Sequence, residues 1–233
     1  MPSASHRITR PRCARSKVDM TATQGAIRRR TFLELAILAM LTTGFLYLFP
    51  QRGTAVNIGL ALLAMGMIAL NRGYTSEVVW GSFPPQEGLA ERRRGSIRAT
   101  GLFTLACVLL LALAGAHQGG VQALLTPALL WTLPAYIAWG LLQQYLFQFY
   151  LLGRLLQLMP PSIAVALTGS AYSLVHVHDP VTLLACLPAG VVWTALYYRY
   201  RILVPLGFSH GILGTCFYLW VRQRDLLGDW LGL

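Results

Sequence analysis

Apolar residues dominate the chain in seven runs, which are separated by short polar or basic segments. The runs lie at 32–49, 56–70, 99–116, 121–153, 161–178, 180–198 and 202–221. A helix needs about 20 apolar residues to cross a bilayer, and most of these runs approach that length. The pattern predicts an all-α fold, a polytopic transmembrane bundle of about seven spanning helices. Eight spans are the alternative, because the long run at 121–153 contains Pro127 and Pro134.

The composition supports a membrane protein and narrows its partners. The chain is 55% hydrophobic and only 12% charged, whereas soluble domains carry about 25% charged residues. The net charge is +11, but the basic residues lie between the apolar runs. They are therefore interpreted as topology signals that contact anionic lipid headgroups, and a nucleic-acid partner is not expected. Four cysteines show neither metal-binding spacing nor a disulfide framework: Cys13, Cys107, Cys186 and Cys216.

The polar segments divide the chain into four parts. Residues 1–31 are predicted to be a basic, disordered cytoplasmic arm, with Met20 as an alternative start. A two-helix membrane leader follows at 32–71, then a basic cytoplasmic loop at 72–98 and a membrane core at 99–222. Most of the 19 basic residues fall on one side if the N-terminus is cytoplasmic, which predicts that orientation. Glu34 is expected to pair with Arg30, four residues earlier.

Polar side chains inside the apolar runs are the candidates for chemistry. They are Gln143, Gln144 and Gln148 in the fourth run, Tyr172, Ser173, His176 and His178 in the fifth, and Ser209 and His210 in the last. Buried amides need hydrogen-bond partners, and the three glutamines are expected to find them in His176 and His210, in one polar centre between three helices. The plainer alternative is interhelical hydrogen bonding alone. The charge pattern places His176 near the outer face of the membrane and His210 deeper. The two histidines can then belong to one site only if the fifth helix is tilted or broken.

Three motifs in this order resemble the CAAX-protease and bacteriocin-processing (CPBP) family of intramembrane endopeptidases, also called the Abi family. The family carries Glu-Glu-x-x-x-Arg, then Phe-x-x-x-His, then His-x-x-x-Asn. This chain has Gln143-Gln144-Tyr-Leu-Phe-Gln148, Tyr172-Ser-Leu-Val-His176 and His210-Gly-Ile-Leu-Gly214. The resemblance covers about 121–221.

The resemblance implies an intramembrane endopeptidase in which the first motif activates water and the two histidines position it or the oxyanion. Gln143 and Gln144 occupy the positions of the two Glu residues, Gln148 that of the Arg, and Gly214 that of the Asn. An amide cannot take a proton from water as a carboxylate does, so whether the chain is an enzyme stays open. The expected function is to process or bind a membrane-associated peptide or a prenylated, CAAX-type tail. The alternatives are an inactive relative that binds or regulates, and a small-solute transporter.

The remaining expectations concern cofactors, partners and location. No cofactor and no metal are expected, with zinc at His176 and His210, joined by His178, as a minor alternative. His178 and Asp179 are interpreted mainly as the end of a helix, since Pro180 follows. Membrane lipids and an unidentified membrane-associated peptide or protein are the expected partners. The expected location is a bacterial cytoplasmic membrane, with the chain as an integral protein.

Overall fold

The fold is helical throughout the part of the chain that the structure describes. The computed structural model describes residues 14–48 and 88–225, together with positions 59, 62, 63 and 66. These ranges contain no β-strand, which confirms the predicted all-α class. The elements are α1 (Ala14–Leu48), α2 (Leu89–Gly119), a 3-10 helix (Val121–Leu124), α3 (Leu129–Gln144), the π-helix π1 (Tyr145–Leu151), α4 (Leu152–Leu155), α5 (Pro161–Leu174), α6 (Pro180–Tyr200), α7 (Val204–Cys216) and the π-helix π2 (Phe217–Val221).

Four of these helical stretches are long and apolar enough to cross a membrane. They are Arg28–Leu48, Leu89–Gly119, Pro180–Tyr200 and Val204–Val221. Together they support an integral membrane protein. At 16 and 14 residues, α3 and α5 are shorter than a usual span. The count of seven or eight spans is therefore not confirmed, and the span expected at 56–70 lies largely outside the described residues.

Two helices begin earlier than the sequence pattern indicates. Helix α1 starts at Ala14, so residues 14–31, expected in a disordered arm, are helical. That stretch contains no proline and several good helix formers, which lets the helix extend past the apolar run. Helix α2 starts at Leu89, inside the expected 72–98 loop, with Glu91 in its first turn. An acidic residue there complements the positive end of the helix dipole.

Helices α3 and α7 pack with their backbones almost in contact. A Cβ at Gly211 would lie 2.5 Å from the Cα of Ile137, and one at Gly140 would lie 2.8 Å from the carbonyl oxygen of Gly207. Such approach is feasible only with glycine on the facing surfaces, as in many membrane helix pairs. The contacts run in opposite order along the two helices, so the pair is antiparallel.

Helices α5 and α6 form a second close pair. A Cβ at Gly190 would lie 2.9 Å from the carbonyl oxygen of Gly169, and one at Gly169 would lie 2.7 Å from the backbone nitrogen of Val191. Helix α2 lies beside both pairs, since its Phe103 and Thr104 contact α6 and α7. The functional candidates lie between the two pairs.

Basic residues gather at one end of this bundle, here called the basic end: Arg28–Arg30, Arg92–Arg94, Arg98, Arg154, Arg199 and Arg201. Gly95 of α2 packs on Tyr200 of α6, which brings two of these groups together. Glu34 of α1 accepts a hydrogen bond from Tyr150 and lies 3.4 Å from Arg154. The prediction that Glu34 pairs with Arg30 is therefore wrong. The carboxylate of Glu34 contacts Arg154 at the end of α4 instead of a residue on its own helix.

Contacts at the other extremity define the opposite end of the bundle. Arg222, after π2, pairs with Asp179 at the start of α6 at 3.1 Å. The carboxylate of Asp225 accepts a hydrogen bond from Thr132 near the start of α3. The backbone carbonyl of Leu46 in α1 lies 3.2 Å from the Nε2 atom of His178. These contacts define the opposite end of the bundle. The direction in which each of these helices runs between the two ends follows from them.

Candidate functional site

A cavity of about 210 Å³ lies between the two helix pairs. Its walls include Gln143 of α3, Tyr172 of α5, His176 of the turn after α5, and His210 and Gly214 of α7. Residues of all three motifs thus line one space. The two histidines can share it because α5 is short: it ends at Leu174, and the following turn carries His176 within the bundle.

His210 is held from both sides of its ring. Its Nδ1 atom lies 3.4 Å from the Nε2 atom of Gln144, and its Nε2 atom lies 3.2 Å from the hydroxyl of Tyr172. With the amide nitrogen donating to Nδ1, the ring proton sits on Nε2 and is donated to Tyr172. Turning the amide by 180° reverses both hydrogen bonds together, so either orientation selects a single tautomer. The site therefore fixes the position of the His210 ring, and the orientation of the Gln144 amide determines which of the two tautomers is present.

Trp193 of α6 fixes the plane of that ring. The two rings are stacked, with centroids 5.0 Å apart and an angle of 13°. The indole Nε1 donates to the hydroxyl of Ser209 at 2.9 Å. That hydroxyl lies 2.7 Å from the hydroxyl of Thr104, which in turn donates to the backbone carbonyl of Thr100 at 2.8 Å. A directed chain of hydrogen bonds thus runs from α2 to the face of His210.

The three glutamines have different surroundings. Gln143 lines the cavity, while Gln144 and Gln148 are fully buried behind it. Among the described residues, neither amide atom of Gln148 has a hydrogen-bond partner, and the Oε1 atom of Gln144 also has none. The expected partnership with His210 therefore holds for Gln144 alone. Gln148 lies inside π1, whose wider turn changes the helix register that an ordinary α-helix would give.

Gly214, which stands at the position of the family's Asn, is covered by an aromatic ring. A Cβ there would lie 2.7 Å from the Cδ1 and Cε1 atoms of Tyr136. Tyr136 is buried, lines the cavity and packs against Tyr218, with ring centroids 6.0 Å apart. The ring of Tyr136 therefore occupies the space into which an Asn side chain at position 214 would extend.

His178 and Asp179 have structural contacts away from the polar centre. His178 contacts α1, as described above, and Asp179 caps α6 by accepting hydrogen bonds from the backbone and side chain of Thr182. Burial alone would raise the pKa of Asp179, but the hydrogen bonds from Thr182 and the charge of Arg222 outweigh it and hold the pKa below its ordinary value of 3.8. Within the described ranges, no three His, Cys, Asp or Glu side chains are grouped so as to hold a metal ion.

Residues 125–216 match the Rce1-like family, described as type II CAAX prenyl endopeptidases. The resemblance drawn from the three motifs is therefore confirmed over this range, which runs from just before α3 to the end of α7. No curated protein and no solved structure matches the chain. The Rce1-like region contains every predicted site residue, and it supports a CAAX-type, intramembrane-protease-like function.

Two residues of the site were missed from the sequence. Trp193 belongs to a buried stripe of α6 with Gly190, Thr194 and Tyr197, whose spacing of three and four residues is a signal that could have revealed it. Thr104 lies on α2, outside the Rce1-like region. A single hydroxyl in a long apolar helix gives no sign of its partner, so only the structure shows that contact.

Proposed function

We propose that this protein binds a membrane-associated peptide, such as a prenylated CAAX-type tail, in the cavity beside His210, as an endopeptidase-like relative that cleaves it slowly. The observation that carries the proposal is the cavity itself, where an amide, Gln143, stands at the position from which the family's carboxylate would activate water. His176 and His210 keep the residue types of the family motifs around the same space, and Tyr172 stands in place of the family's Phe.

The chemistry of the cavity favours a peptide as its ligand. An amide such as Gln143 can both donate to and accept from a peptide bond. The Nε2 edge of His210 meets Tyr172, whose phenol adds a second polar group at the cavity wall. Most of the remaining wall is apolar, including Leu111 and Leu213. Few polar groups on an apolar wall are typical of sites that fix the orientation of a largely apolar ligand.

Replacing Gln143 with Glu tests the proposal directly. General-base catalysis contributes a factor of about 10²–10⁴, so we expect Gln143→Glu to raise the cleavage rate by that range. Gln143→Met is the matched control, because it keeps the size of the side chain and supplies no base. The protein is reconstituted in liposomes with either a farnesylated CAAX peptide or a Leu/Ala-rich peptide, and both binding and cleavage are measured.

The outcomes separate binding from catalysis. The proposal requires that the wild-type protein bind the peptide and that His210→Ala abolish the activity gained by Gln143→Glu. A wild-type rate equal to that of Gln143→Glu would show that the amide does not limit cleavage. If the wild-type protein, in a sample with native helicity, bound neither the farnesylated nor the Leu/Ala-rich peptide, the proposed function would be refuted.

The same proposal includes a topology. We propose seven spans in a bacterial cytoplasmic membrane with a cytoplasmic N-terminus. Six described stretches support this count, because each connects the basic end with the opposite end: α1, α2, 129–155, α5, α6 and 204–221. The apolar run at 56–70, which lies largely outside the described residues, is counted as the seventh span. The concentration of arginine at the basic end favours placing that end in the cytoplasm.

A further inference from the structure

The cavity is not central along the bundle axis but lies in the half away from the basic end. On α6, which starts at the opposite end, the lining residues are in the first two-thirds, from Thr182 to Trp193. On α2, which starts at the basic end, they begin only at Cys107, more than halfway along the helix. On α7 and π2 they extend to Tyr218, three residues before π2 ends.

The side walls of the cavity reach the lipid-facing surface of the same half. Leu110 of α2 lines the cavity and is 66% exposed, and Ala185 of α6 also lines it and is exposed. Both are apolar, as are their exposed neighbours Leu113 and Leu184. Exposed apolar residues at the edge of the cavity favour a ligand that arrives from the bilayer over one that arrives from water.

We infer that the cavity receives an apolar peptide segment from the outer leaflet, through the gap between α2 and α6. The inference rests on the proposed function and specifies its substrate: a segment presented at the outer half of the membrane rather than a prenylated tail on the cytoplasmic face. Its two supports are the arginines at the basic end, which place that end in the cytoplasm, and the position of the cavity in the other half. In this arrangement Gln143 and His176 meet a peptide that has entered beside Leu110.

The orientation is tested first, by cysteine labelling in intact cells. Val177→Cys marks the turn beside His176 and Arg94→Cys marks the basic end, both in a background in which the native cysteines are replaced by alanine. Both positions are exposed. A membrane-impermeant maleimide is expected to label Val177→Cys in intact cells and Arg94→Cys only after permeabilisation. The reverse pattern would overturn the inference.

The entry route is tested with a photo-crosslinking amino acid at position 110. Position 102 is the matched control, because Leu102 lies on the same helix with a similar exposure of 61% but near the basic end. The probes are a biotinylated Leu/Ala-rich peptide and a farnesylated CAAX peptide, each added to right-side-out or inverted vesicles. We expect the Leu/Ala-rich peptide to crosslink to position 110 at least tenfold more than to position 102, and only in right-side-out vesicles.

The remaining outcomes distinguish this inference from the function on which it rests. Crosslinking of either peptide in inverted vesicles alone would overturn the inference and leave peptide binding intact. No crosslinking from either face would overturn both. Crosslinking of lipid at position 110 that excess peptide does not reduce would show that the gap is a lipid site, which also refutes the inference.

Discussion

The contact between Gly214 and Tyr136 gives a quantitative test of how the site is packed. A Cβ at position 214 would lie 2.7 Å from two ring atoms of Tyr136, whereas carbon atoms prefer separations of about 3.5–4.0 Å. The ring would have to move by about 1 Å to restore such contact. Tyr218 packs against this ring and opposes its movement. The backbone of α3 cannot move away easily either, because Gly140 packs closely on Gly207 and Gly211 of α7. Gly214→Ala therefore overpacks the site.

Overpacking of this kind costs about 1–3 kcal/mol, but Gly→Ala in a helix also gains about 1 kcal/mol of propensity. A double-mutant cycle separates the two contributions. Gly214→Ala is measured in the wild-type and in the Tyr136→Ala background, where the ring is absent. The propensity gain is the same in both backgrounds and cancels, so the coupling energy is expected to be about 1–3 kcal/mol.

The free energy of unfolding is measured for the four proteins in mixed micelles, by titration with SDS and circular dichroism. Gly101→Ala is the matched control, since Gly101 also lies inside a helix and a Cβ there would meet nothing within 4 Å. Its coupling with Tyr136→Ala should be zero within error. A coupling below about 0.5 kcal/mol for Gly214 would refute the conclusion that Tyr136 fills the space of the missing side chain.

Three further predictions concern the contacts around the site and at the two ends of the bundle. Thr104→Val removes one hydroxyl from the series of hydrogen bonds that holds Trp193, so we expect the binding free energy of the peptide to weaken by about 1 kcal/mol. Thr104→Ser keeps the hydroxyl and should bind like the wild-type protein; equal affinities of the two variants would contradict this. Asp179→Ala removes a helix cap and should lower the unfolding free energy by about 1 kcal/mol at pH 7. The pKa of Asp179 is held below 3.8, so its carboxylate stabilises the fold above pH 3.8, and this stabilisation is lost as the pH falls through the lower pKa of the folded state. If the wild-type protein and Asp179→Ala still differed in unfolding free energy far below pH 3.8, the carboxylate would not be the source of the stabilisation. Glu34→Gln removes the partly buried ion pair with Arg154 and should change stability by less than about 1 kcal/mol. If the effect is electrostatic, about 1 M salt weakens it.

The sequence predicted the residues of the polar centre better than their contacts. Three motifs on three apolar runs were enough to predict that Gln143, His176 and His210 lie around one space, because polar side chains that are costly to bury alone must meet inside a bundle. The contact between Gln144 and His210 was also expected. The contacts of Gln148 were not predictable, since an inserted π-turn shifts the helix register without a sequence signal as strong as proline.

Other features depend on residues far apart in the chain. Glu34 was assigned to Arg30 because helical spacing is the only geometry that a sequence shows directly, whereas its partner Arg154 lies 120 positions away. The start of α1 was misplaced for a related reason: hydropathy marks where a helix enters the membrane, not where its hydrogen bonding begins. The filling of the space at Gly214 by Tyr136 likewise follows from a helix crossing, which no local pattern contains.

The glycine contacts described in the fold have a mechanical consequence. Where two backbones touch, a helix cannot slide or rotate against its partner without a clash, so α3 with α7, and α5 with α6, each behave as one stiff body. The polar centre is split between them: Gln143, Gln144 and His210 belong to the first body, and Tyr172 and Trp193 to the second. Any widening of the cavity is then a hinge-like separation of two bodies. The contacts it must break include the stacking of Trp193 on the ring of His210, the hydrogen bond between that ring and Tyr172, and the hydrogen bond from Trp193 to Ser209.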